Sequence, residues 1–482
     1  MNRRFLLLSS LSALGQKKFA DPAPPKVNAP AGPKAVLKAN GEVTRHGKPA
    51  ALAQGAVSED WPSFLGPTHN GVSRETKLRK QFPPAGPPLV WEMNKGTGYA
   101  SPAVGGGYLV FLHRRGNQEL VECLHPETGE RFWQHTYPTT FEDRYGYNNG
   151  PRSSPVIDGD RVYTMGAEGL LHCLSLANGQ VLWRRQLRDE FKVPQDFFGV
   201  ASTPLVEGDL LILNIGAPGG PCVIGVDKRT GQARWGAGSE WGGSYASPIP
   251  AVVHGKRKIF VFAGGESQPP TGGLLMLDPA TGTVDFTFPW RSKSYESVNA
   301  SCPVIIGNNV FISASYRTGG VMLEITPDFR HKVLWTSRDF GLHFNTPIHK
   351  DGFLYGFDGR NEPDASLACV DIKTGNVAWR TNPEWKETFR AGGQQREQLF
   401  STYRGNLLHV DGRFLVLGEL GHLLWMDLTP EGAKEGSRAW LFAARETWSL
   451  PVLSRGLLYV VQHGKDVLEN KSPRLLCYDL RG

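Results

Sequence analysis

No stretch of this sequence sustains a 3.6-residue apolar period, so its body does not read as helical. The apolar run near the start, Phe5 to Leu14, is too short to span a bilayer, which takes about 20 residues. Cysteine is scarce: six in 482 residues, with no CxxC or CxxCH, which argues against a zinc knuckle or a covalently attached haem. HExxH, GxSxG and phosphate-loop motifs are missing too, and with them the commonest hydrolase and nucleotide-binding chemistries. Runs of Lys and Arg are also lacking. The net charge is +7, but residues 1 to 60 hold nine Lys or Arg against four Asp or Glu, which leaves the remainder near neutral. A nucleic-acid partner is therefore not expected.

What the chain does have is a register. Five times, a Gly in a short turn is followed four residues later by a large aromatic: Gly129 and Trp133, Gly179 and Trp183, Gly231 and Trp235, Gly282 and Phe286, Gly375 and Trp379. Six residues before each Gly stands a small or apolar residue (Cys123, Cys173, Gly225, Met276, Cys369), and four before it His125, Ser175, Asp227, Asp278 or Asp371. Each unit opens on a small residue followed by Pro102, Pro155, Pro204, Pro248, Pro303 or Pro347. Alternating β-branched and aromatic stretches fill the intervals, so one unit reads as four short strands joined by hairpins. Recurrence every 40–60 residues is the sequence mark of a propeller blade.

Degenerate copies complete the count. A fifth unit runs from Pro303 to Trp335 without its Gly, a seventh from about Asn406 through Asp427 to Trp440 with Leu408 in place of Pro, and an eighth from Pro451 to Asp479. The eighth lacks a fourth strand, and LVWEM with Trp91 is left over before the first Ser-Pro. The sequence thus predicts an all-β, eight-bladed propeller closed by an N-terminal strand, which removes exposed sheet edges. The Asp-x-x-x-Thr-Gly-x-x-x-Trp pattern, complete in DKRTGQARW and DIKTGNVAW, resembles the pyrroloquinoline-quinone-like propeller family over roughly Leu89 to Leu480. That family includes quinone-dependent dehydrogenases and an assembly factor of the outer-membrane barrel machinery, so the resemblance implies a fold more than a function.

The start, MNRRFLLLSSLSALG, reads as an export signal over residues 1–15, with no transmembrane segment and no cysteine for a lipid anchor. Residues 16–58, rich in Pro, Ala and Lys, read as a disordered tether. Residues 59–482 are the propeller, with a cap over 59–88 (WPSFLG) and the blades over 89–482. An exported protein, periplasmic or extracellular, is expected.

Cys123, Cys173, Cys369 and Cys477 occupy one strand position in different blades, beyond disulfide reach, and read as core residues. The candidate site is the axial funnel, onto which the loops entering each blade converge. Its candidate residues are Tyr99, Asn149, Arg152, Phe198, Tyr245, Glu296, Asn299, His343, Asn345, Arg404 and Trp448. Aromatic walls with convergent polar groups suit a small polar molecule, a glycan or a protein loop. Tyr99, Arg152, Tyr245 and Trp448 each stand three residues before a blade's Pro and should share one rim, with Arg152 as an anion handle. Asp358 and Arg360 read as an ion pair in a hairpin turn. No catalytic residue or metal site is assigned and no cofactor is expected. The family resemblance leaves open a quinone with calcium, for which Glu296 and Asn299 are the candidate ligands, although quinone dehydrogenases carry adjacent cysteines and this chain has none. A further alternative is a subunit of a cell-envelope assembly complex, with an envelope protein as partner.

Overall fold

In a computed structural model, the structure describes residues 26–27, 34–361 and 364–482. The expected export signal lies outside these residues. Eight antiparallel sheets with four blade strands each form the ring, and two of them gain a fifth strand from the N-terminal segment. Blade 1 comprises Ala103–Gly105, Tyr108–Arg115, Gln118–Leu124 and Arg131–Pro138; blade 2 starts at Val156–Asp158, blade 3 at Leu205–Glu207 and blade 4 at Ile249–Val253. Blades 5, 6, 7 and 8 start at Val304–Ile306, Ile348–Lys350, Gly405–Val410 and Val452–Ser454. The first strands of blades 1 and 2, 2 and 3, 5 and 6, and 6 and 7 touch one another, as strands that surround an axis do. Seven of the eight units place a Pro just before the first strand, at the innermost sheet edge, where the missing N–H costs no ladder hydrogen bond.

Blade 8 is completed as the sequence predicts. Leu89–Asn94 pairs antiparallel with Arg474–Asp479, and Trp91 stands opposite Cys477. The same pairing recurs in the other blades: Cys123 faces Trp133, Cys173 faces Trp183, Gly225 faces Trp235, Met276 faces Phe286 and Cys369 faces Trp379. All six cysteines are buried thiols.

The repeat has a physical logic that spans two blades. Five outer-strand Trp residues donate the indole N–H to the carbonyl of the residue after the Asp position of the next blade: Trp91 to Pro126, Trp133 to Leu176, Trp183 to Lys228, Trp235 to Pro279 and Trp335 to Ile372; Trp379 donates one residue further on, to Thr429 O. The ring of each of those five then lies against the next turn's Gly. A Cβ on Gly231, already at φ +75°, would come within 2.7 Å of Trp183. The Gly is therefore required twice, for its left-handed backbone and for the close approach. Phe286 is the exception, and the blade it faces has no turn Gly: Phe329 takes the left-handed position there, at φ +59°, and Phe286 packs on His331. In blade 7 the expected Trp440 is not the inter-blade residue. It stacks on His422 and donates to Leu420 O of its own blade, while Trp425, one strand further in, reaches across to Arg79 O.

The tether expectation is corrected from residue 34 onward. Ala35 N donates to Ala177 O, Lys38 bridges Arg131, and Val43–Arg45 adds a fifth strand to blade 8. Ala50 N donates to Asp479 Oδ2, and Arg481 returns a bond to Ala50 O. Lys26–Val27 pairs with the outer strand of blade 2. The segment has no apolar period of its own because it takes its hydrogen bonds from the open edges of three consecutive blades. After it, Trp61 exchanges both backbone hydrogen bonds with Val104 and is wholly buried. The segment following Trp61 crosses one face of the ring to reach His409 and Leu480. A separate hairpin, Glu384–Ala391 with Gln394–Ser401, stands between blades 6 and 7 and packs Trp385 and Phe400 against His422.

Candidate functional site

The axial funnel is a cup of about 280 Å³. Phe64, from the capping segment, lines both the cup and a smaller cavity among the first strands of blades 2, 3 and 4. Beneath the wall runs a belt of hydrogen bonds made by the small residues before the prolines. Ser101 N donates to Ser154 Oγ, Ser154 N to Thr203 Oγ1, Thr203 N to Ser247 Oγ, Ser247 N to Cys302 Sγ and Cys302 N to Thr346 Oγ1. Ser101 Oγ donates back to Leu450 O of blade 8. A hydroxyl or thiol at this position reaches the neighbouring blade's backbone N–H, and blades 7 and 8, with Leu407 and Leu450 there, lack that side-chain acceptor.

The position three residues before the Pro forms the wall. Tyr99, Arg152, Ala201, Tyr245, Ala300, Phe344 and Trp448 hold it in seven blades, and all line the cup. Trp448 is the hub: it stacks on Tyr99 at 5.3 Å with the ring planes 23° apart, and meets Tyr147 and Phe344 at 5.6 Å each. Its indole N–H donates to Glu419 Oε1, and the same buried carboxylate binds the Arg404 guanidinium that lies 4.8 Å over the Trp448 ring. Tyr99 Oη donates to Glu446 Oε2, and burial together with that carboxylate pushes the phenol pKa up. Tyr245 Oη accepts from Phe198 N. Glu296 stands exposed on the wall.

Eight of the eleven expected residues therefore line the cup, and three do not. Asn299 is fully buried and donates to Ala263 O and Trp290 O. Asn345 donates to Gly405 O of the next blade. It follows Phe344 directly, and in near-extended chain the neighbour of a wall residue points away from the axis. Asn149 accepts from Asp143 N through Oδ1 and folds its own loop.

Arg152 is on the rim as expected, but its charge is consumed. Nη2 pairs with Asp143 at 2.7 Å, Nη1 donates to Phe198 O, and the guanidinium is sandwiched between the Tyr99 and Phe198 rings. The anion-handle reading of Arg152 is therefore corrected. The cation it seemed to offer is supplied by Arg360, which forms no ion pair with Asp358. Asp358 binds Arg380 instead, while Arg360 lies exposed, 4.3 Å over the Tyr316 ring, with no carboxylate partner among the described residues. Tyr145, Tyr147, Tyr316 and Phe344 also line the cup and were not singled out from sequence. Phe344 was legible from its offset to Pro347; the tyrosines lie on longer loops with no register to mark them.

Burial and two nearby guanidinium groups push the His343 pKa down to about 3, so its imidazole is neutral at ordinary pH. Ser449 and His463 have the spacing of a nucleophile and base, 2.9 Å. However, His463 Nδ1 is oriented by the Gly98 carbonyl rather than a carboxylate, and burial holds the ring well below its usual pKa. The pair acts as a strut between blades 8 and 1. Among the described residues no three His, Cys, Asp or Glu side chains are placed to hold a metal ion. A planar tricarboxylate quinone with calcium does not fit the donor set. The two expected calcium ligands do not share one environment, since Glu296 stands exposed on the cup wall and Asn299 is fully buried outside the lining, and two of the cup's arginines are already neutralised by Asp143 and Glu419.

Solved structures with this architecture include BamB from Moraxella catarrhalis, at TM-score 0.52 and 14% identity over 81% of this chain and 97% of that one. The quinohemoprotein alcohol dehydrogenase of Comamonas testosteroni matches at TM-score 0.59 and 12% identity, over 88% of this chain and 81% of that one. A europium-containing methanol dehydrogenase matches at 0.60 and 10%, over 87% and 98%. At such identities the likeness establishes the fold alone. No curated protein matches the chain. No helix among the described residues is long and apolar enough to cross a membrane. The family described as outer membrane protein assembly factor BamB matches residues 117–381, more than half of the chain, and the protein belongs to that family.

Proposed function

We propose that this protein is an exported binding module that seats a ligand in its axial cup and does not transform it. The observation that carries this reading is the cup itself: a well walled by aromatic rings, with one exposed guanidinium, Arg360, and one exposed carboxylate, Glu296. Such a well suits a glycan or a protein loop that presents flat apolar faces to Trp448 and Tyr147 and a carboxylate to Arg360. Membership of the BamB family favours a protein loop from an envelope partner over a free metabolite. In this reading residues 1–15 direct export, and the propeller works in the periplasm or outside the cell.

Fluorescence of Trp448 tests the proposal. Titration with oligogalacturonate and, separately, with a Tyr-Glu-containing peptide should quench or shift emission for one of the two. Trp448→Phe should remove the signal, and Arg360→Gln should weaken the binding. A response to neither probe, or one that survives Arg360→Gln unchanged, would count against a carboxylate-reading cup.

A further inference from the structure

Beside the cup, and separated from it by Tyr316, a second cavity of about 530 Å³ opens between blades 4 and 5. Four of its lining residues are basic, Arg291, Lys293, Arg317 and Arg338, and none is acidic. They are scattered in sequence, which is why no basic run announces them. Lys293, Arg317 and Arg338 are exposed and have no carboxylate partner among the described residues. Arg291 is half-buried, and its donors go to neutral oxygens, Gly265 O, Thr271 O and Ser297 O, so among the described residues no carboxylate is hydrogen-bonded to any of the four cations. The carboxyl that most offsets Arg291 is Asp196, whose own pKa is raised to about 6 by burial.

A second observation comes from the backbone. Tyr316 and Arg317 are the two central residues of the turn in which Thr318 N donates to Ser315 O, and both have positive φ, 58° and 61°. Hairpins that need two such residues use Asn-Gly or Asp-Gly, because a side chain there is strained. Here the strained pair places Tyr316 on the cup and Arg317 on the groove. Strain held at such a position points to a role that the easier sequence would not serve.

We infer that this groove is a phosphate-binding site, distinct from the cup, that recognises a phosphate ester through Arg317 and Arg338. Guanidinium groups bind phosphate oxygens in paired, charge-assisted hydrogen bonds, and Lys293 adds a mobile ammonium. The phosphate can belong to a soluble ester or to an anionic lipid headgroup, and the two sources are separable by experiment.

Calorimetric titration of the full chain with inorganic pyrophosphate, and flotation with vesicles of phosphatidylcholine containing phosphatidylglycerol, form the two arms. Arg317→Gln with Arg338→Gln should weaken the binding by about tenfold or more, as expected for losing hydrogen bonds to a charged group. Lys373→Gln with Lys434→Gln, which removes two exposed cations from other blades, should leave it unchanged. Pyrophosphate binding without flotation identifies a soluble ester; flotation blocked by pyrophosphate identifies a lipid headgroup. Arg317→Gly should raise the melting temperature while weakening binding, a combination that a merely structural arginine would not give. Absence of binding in both arms, or equal weakening by the control pair, overturns the inference.

Discussion

Trp183 lays its ring against Gly231 of the following blade and donates its indole N–H to Lys228 O, 3.2 Å away. One side chain thus closes a hydrogen bond and fills the space left by a missing Cβ, and the same arrangement repeats around the ring. Gly231→Ala is therefore expected to cost more than Gly208→Ala. Both positions have positive φ, but a Cβ at Gly208 would meet nothing within 4 Å. Backbone strain alone costs about 1–2 kcal/mol, and overpacking against Trp183 adds about 1–3 kcal/mol. Denaturant melts of the two variants check this; equal losses would mean that the Trp contact contributes nothing.

Phe286 follows from the same contact. Its partner blade offers Phe329 and His331 where a Gly would admit an indole. Phe286→Trp should lower stability by about 1–3 kcal/mol, as overpacked cores do. A neutral melt would show that the blade 4–5 seam has room to spare.

The N-terminal segment contributes to the ring rather than trailing from it. Deletion of residues 1–58 removes the strand Val43–Arg45 and the bonds of Ala50 to Asp479 and Arg481. If three such bonds each contribute about 1 kcal/mol, the loss is about 3 kcal/mol. Thermal melts of the full and shortened chains measure it.

Acid should loosen the fold through two histidines. His172 and His422 are wholly buried, neither ring has a hydrogen-bond partner among the described residues, and burial pushes both pKa values down to about 3. The unfolded chain protonates near pH 6.5 and the folded one does not, so this stability is complete above about pH 6.5 and falls as pH drops toward 3. Each histidine contributes a slope of about 1.4 kcal/mol per pH unit. Melts between pH 7 and 5 should show the decline, and His172→Phe should make it shallower by about 1.4 kcal/mol per pH unit, His422 and the other buried histidines supplying the rest.

At the cup, Arg152 and Arg360 should separate cleanly. Arg152→Lys breaks the pairing with Asp143, whose side chain is fully buried, and should cost about 3 kcal/mol or more of stability. Arg360→Gln touches no ion pair and should leave the melt unchanged while reducing the binding of a carboxylate ligand.

Most of the fold was legible because each blade repeats a local signal: strand alternation, a turn Gly and an aromatic at a fixed offset. What the register means was not, since Gly231 answers to Trp183, 48 residues away, and no single unit contains both. Trp440 was expected as the inter-blade residue because it ends the blade 7 unit, whereas the contact is made by Trp425, which stands where blades 1, 2 and 6 place a cysteine and meets the capping segment's Arg79 carbonyl. The wall of the cup was legible from the offset to Pro. Arg152 and Arg360 exchanged roles because pairing with Asp143, Asp358 or Arg380 depends on loop geometry that spacing does not encode.

The pairing of Leu89–Asn94 with Arg474–Asp479 has a temporal consequence. The last blade needs residues from both ends, so the ring stays open until the final strand has left the ribosome. Contacts of such sequence separation form late. Until then Leu89–Asn94 lacks its partner strand in blade 8. The closed ring therefore forms in one late step, and a chain cut short before Arg474 has no strand with which to close it.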